Sequence, residues 1–103
     1  MLGRGRRFRD LVRRQLDLFA ADESELLAEA AQTDEAWTNA TADESEELYG
    51  DYQLAVDAIG ERLYELREAY AATLEPGAAA AYRAEFDREA RKRFGRYATF
   101  LDA

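Results

Sequence analysis

Between residues 43 and 74 one stripe recurs without interruption at alternating three- and four-residue steps: Tyr49, Tyr52, Val56, Ile59, Leu63, Leu66, Tyr70 and Thr73. That spacing follows the 3.6-residue turn of an α-helix and excludes the two-residue period of a strand. A helix over 43–74 is about 48 Å long and cannot bury its apolar stripe on itself. It needs neighbours of similar length, which predicts an all-α bundle. Leu48, Ala55 and Ala69 widen the stripe, as a globular bundle requires. The start is written as well: Thr41 and Glu44 form a T-x-x-E capping box, and Asp43, Glu44, Glu46 and Glu47 sit where the helix dipole favours anions.

Two further helices are expected. On a helical wheel Phe8, Val12, Phe19, Leu26, Ala30 and Trp37 fall close to one line, so helix 1 runs over about 6–37. A break near residue 22 is the alternative, with Asp22 as cap and Glu25 completing a capping box. Pro76 marks the next turn and suits a first helical position. Helix 3 then covers about 77–101, with Ala79, Tyr82, Phe86, Ala90, Phe94, Tyr97 and Leu101 facing inward. Short connections make neighbours antiparallel, so residues 1–103 form one helical domain, an up-down-up bundle of three long helices. Such an elongated bundle has much surface for its core, and pairing into a dimeric bundle relieves that.

Charge is segregated along the chain. Residues 1–14 hold six Arg and one Asp, 15–61 hold fourteen acids and no base, and 62–103 are nearly balanced, for a net charge of −8. The basic arm, with Arg6, Arg7, Arg9 and Arg13, has three readings. It can reach nucleic acid through phosphate contacts, lie on an anionic membrane through Phe8, Leu11, Val12, Leu18 and Phe19, or bury that apolar face in the bundle. The last is expected, because helix 1 must complete the core, and the acidic block beside the arm repels phosphate. The arm's partners are then Glu65 and Glu68 or acids of another subunit.

Catalytic chemistry finds few candidates. The chain has no His and no Cys, which removes the usual general base, thiolate and soft metal ligands. The E-x-x-E pairs Glu44/Glu47 and Glu65/Glu68 lie on one helix about 27 Å apart and cannot share an ion. Lys92, between Arg91 and Arg93, lacks a partner base. No metal or cofactor is expected, and a carboxylate-metal enzyme ranks third among the functional readings. Most tyrosines fall on the stripes and read as core. Leu54 and Tyr64 do not. With Ala58 they leave a second, less polar face on helix 2, a candidate contact surface. Glu23 and Arg93 are expected at the same height beside Ile59 and Gly60 as a partly buried pair.

The reading is therefore a small non-enzymatic helical interaction module, self-associating as a homodimer. An accessory module that uses its basic arm on nucleic acid or membrane is the alternative. Without cysteines or an apolar leader core, a cytoplasmic location is expected.

Overall fold

The computed structural model of the chain describes residues 7–102, and they form an all-helical bundle. Four α-helices follow in order: α1 (Arg9–Asp22), α2 (Ser24–Thr38), α3 (Ala42–Ala71) and α4 (Pro76–Phe94). A 3₁₀ segment, Gly95–Asp102, follows α4. The bundle measures 54 × 24 × 23 Å, its long axis set by α3.

The expected first helix takes its broken form. Glu23 alone leaves helical geometry, at φ −106° and ψ 25°. The Asp22–Glu25 capping box is not made, and α2 begins after Glu23 with no side-chain cap. The reason lies in the backbone: the Glu23 amide donates to the Phe19 carbonyl (2.8 Å) and the Leu27 amide to the Glu23 carbonyl (2.9 Å). Glu23 thus ends α1 with its amide and starts α2 with its carbonyl, so the cap position falls on Glu23 while Asp22 stays within α1. At Thr41 the backbone is extended as a cap requires, but its hydroxyl donates to the Glu44 carboxylate (2.9 Å), so the two side chains meet each other and the capping box is not made.

The third expected helix stops being α at Phe94. Gly95 has φ +56° and ψ −122°, a conformation open to glycine and strained for other residues. Beyond it the three-residue 3₁₀ period places Ala98 and Leu101 on one edge, and both are buried.

Packing follows the stripes. Val12, Leu16 and Phe19 from α1, Ala30 from α2, Ala55, Ile59 and Leu63 from α3, and Tyr82, Phe86 and Ala90 from α4 form the core. Contacts along α1 and α4 advance together, from Phe8–Tyr82 to Phe19–Phe94 (both 5.6 Å, edge-on), so these helices are parallel. Those between α2 and α3 run in opposite senses, from Glu23–Arg62 to Trp37–Tyr52. The α2 backbone packs on α3 and the α1 backbone on α4, whereas α1 and α3 do not meet backbone to backbone. A groove is left between them.

Candidate interaction surface

The arginines of the basic arm divide by helical face. Arg13 points to α4, where its Nε donates to Glu89 Oε1 (3.0 Å), and Lys92 approaches the same carboxylate (3.6 Å). The hydrogen bond from Arg13 holds the Glu89 carboxyl below its ordinary range. Glu89, not Glu65 or Glu68, is thus the partner of Arg13, because α1 packs on α4 rather than on the end of α3. Arg7 is exposed and lies over the Phe8 ring at 5.0 Å, and Arg9 is half-buried. Arg6 lies outside the described residues.

Glu23 and Arg93 do not pair. Arg93 meets Asp17 (2.5 Å), which shares the α4-facing side of α1 with Arg13, while Glu23 sits at the α1–α2 junction and receives Arg62 of α3. Folding the chain at its turns sets the two level, but Glu23 is turned toward α3 whereas Arg93 meets the α4-facing side of α1. A buried ionic cluster stands elsewhere. Arg67, 10% exposed, donates to Asp87 (2.7 Å) and Glu68 (2.9 Å). Burial opposes its charge, but these two carboxylates outweigh that and raise its pKa. Arg83 grips Glu68 with two bonds (3.0 and 2.9 Å), and this holds the Glu68 carboxyl low. Glu85 on α4 is buried and accepts from Arg88 (2.5 Å). Among the described residues no group of three or more acids converges as a metal site, and none of the helices is long and apolar enough to cross a membrane.

The groove between α1 and α3 has a volume of about 360 Å³ and an apolar floor of Phe19 and Leu66, with Leu18 at its mouth. Leu18 is 59% exposed. The groove continues past the Glu23–Arg62 pair along α2, beside Glu25, Leu26 and Glu29, and on to Asp51 and Leu54. Its rim is acidic. Arg62 is the one base among the described residues that line it, and Glu23 already holds it.

Leu54, 71% exposed, therefore belongs to this groove. Tyr64, 43% exposed, lies elsewhere, against the Arg67 guanidinium at 5.0 Å. Ten residues apart on α3, the two differ by about 80° in direction and about 15 Å in height, so they do not form one face. Tyr49, expected in the core, is 44% exposed and leans on Trp37 (5.0 Å) and Tyr52 (6.2 Å). Leu18, expected to be buried with the rest of the apolar face of helix 1, stands in solvent instead. Its signal was present: it lies about 100° from Phe19 on the wheel, off the core line and on the stripe of Leu11 and Arg14.

No family model, curated protein or solved structure matches this chain.

Proposed function

We propose that this chain is a small helical interaction module that acts by association, first of all with a second copy of itself, and not by catalysis. The observation that carries this reading is the groove between α1–α2 and α3, where two large apolar side chains, Leu18 and Leu54, stand in solvent. An antiparallel bundle closes such a groove with a further helix, and a homodimer supplies one without any other gene product. The absence of His and Cys from the sequence supports a non-catalytic, cytoplasmic role. The basic arm has less support as a membrane or nucleic-acid hook. Phe8, Val12 and Phe19, three of the five apolar residues that a membrane hook would use, are buried, and Arg13 is engaged by Glu89.

Coupling of folding to association tests this. A dimer's unfolding temperature rises with protein concentration, whereas a monomer's does not. The expected outcome is a progressive rise over a roughly hundredfold range of concentration. An unchanged midpoint across that range removes the reading.

A further inference from the structure

The outer stripe of α1–α2 carries a charge order that is self-complementary. Leu11, Arg14, Leu18, Asp22, Glu25 and Glu29 follow one another at steps of three or four residues, which is one face of a helix, and Arg7 continues the spacing from the turn before α1. All are exposed except Leu11, which is half-buried. The face survives the junction at Glu23, since Leu18 and Asp22 border one part of the groove and Asp22, Glu25 and Glu29 the next. Leu18 is its centre. Arg14 and Asp22 lie four residues to either side, Leu11 and Glu25 seven, Arg7 and Glu29 eleven.

Resting on the self-association reading above, we infer that two copies of this chain pair antiparallel along this stripe, with Leu18 on the two-fold axis. Arg14 of each copy then faces Asp22 of the other, and Arg7 faces Glu29. Leu11 falls opposite Glu25 and beside Leu26, which is half-buried. The two Leu18 side chains meet over the groove floor of Phe19 and Leu66. A two-fold interface needs a surface complementary to itself when reversed, and here the base-to-acid polarity about Leu18 supplies it. A parallel pairing sets Arg14 against Arg14 and Asp22 against Asp22.

The charges are available for this. None of Arg14, Asp22, Glu25 and Glu29 makes an ion pair with another described residue. About 100° around the same helix, Arg13 and Asp17 are both taken by α4. Exposed ion pairs contribute little affinity but fix orientation and register. The apolar centre supplies the adhesion and the charges select the antiparallel arrangement.

Charge reversal tests the register. Arg14 and Asp22 are eight residues apart in one chain, too far for a direct contact along the helix. Rescue by a double reversal therefore has to act between copies. The dimer dissociation constant is measured by sedimentation equilibrium for wild type, Arg14→Glu, Asp22→Arg and the double variant, with thermal melts of diluted samples to verify folding. Each single reversal is expected to weaken the dimer about tenfold or more, since attraction becomes repulsion at two symmetry-related sites, and the double reversal to recover to within about threefold of wild type. Singles that weaken without rescue overturn the antiparallel register. A wild-type dimer indifferent to either reversal overturns this interface and leaves self-association standing. A wild-type monomer overturns both.

Discussion

Replacing Tyr82 by Phe should cost stability at neutral pH and gain it in alkali, with the two stability curves crossing. The Tyr82 ring is fully buried. It stands edge-on to Phe8 at 5.6 Å and packs on Tyr70 (4.8 Å) and Phe86 (5.9 Å), contacts that phenylalanine keeps. What is lost is the hydroxyl, which donates to Gln15 Oε1 at 2.8 Å. Gln15 is half-buried, so water takes over its carbonyl, and the loss at neutral pH comes to about 1 kcal/mol. Burial pushes the Tyr82 phenol up to about 12, against about 10 in an unfolded chain. Below about pH 10 both states keep the proton, and the full stability is present. Above that the unfolded chain releases its proton while the folded chain holds it. The free energy of unfolding then falls by up to about 1.4 kcal/mol per pH unit, until the folded phenol also titrates near pH 12. Wild type should lose roughly 2–3 kcal/mol across this window beyond whatever the variant loses, and the curves should cross at about pH 11. Urea titrations followed by far-ultraviolet circular dichroism give both curves, and their difference cancels the other tyrosines. A difference that stays constant from about pH 9 to 12 refutes the reasoning.

Two glycines should respond in opposite directions. Gly50 lies inside α3 with open space around a would-be Cβ, so Gly50→Ala should stabilise by about 0.5–1 kcal/mol through helix propensity. Gly95 also has open space but sits at φ +56°, so Gly95→Ala should destabilise by about 1–3 kcal/mol. Urea midpoints check both. On the acid side, Arg13 holds the Glu89 carboxyl low, so this group's stabilisation is present above its unfolded pKa and lost as pH falls through the folded one. Glu89→Gln should be less stable than wild type at pH 7 and converge with it in acid, below the ordinary glutamate range, as read from thermal melts at stepped pH.

The bundle was legible wherever a stripe met only one kind of neighbour. Tyr52, Val56, Ile59 and Leu63 on α3, and Ala79, Tyr82, Phe86 and Ala90 on α4, are all buried as their spacing predicts. The junction at Glu23 was ambiguous because a single residue departs from helical geometry while its amide closes the last turn of α1 and its carbonyl opens the first turn of α2. The end of α4 was hidden because Ala98 and Leu101 suit an α stripe and a 3₁₀ edge equally, and only the backbone of Gly95 distinguishes them. Ion pairs were the least readable feature. Height and wheel position both match Glu23 with Arg93, but the choice of partner depends on which side of α1 faces α4 and which faces α3, a property of packing. The groove was illegible for the same reason: nothing in the local pattern says that the backbones of α1 and α3 stand apart. Leu54 could be found as an outlier from its stripe, whereas Leu18 sits beside Phe19 in an apolar stretch that reads as core.

The central claim, that this chain works by pairing with itself, meets its most direct test in the solution mass of the unmodified protein. Light scattering on a size-exclusion column at micromolar concentration should give twice the 11.7 kDa of one chain, with a shift toward the single-chain mass on dilution. A mass of 11.7 kDa at every concentration contradicts it.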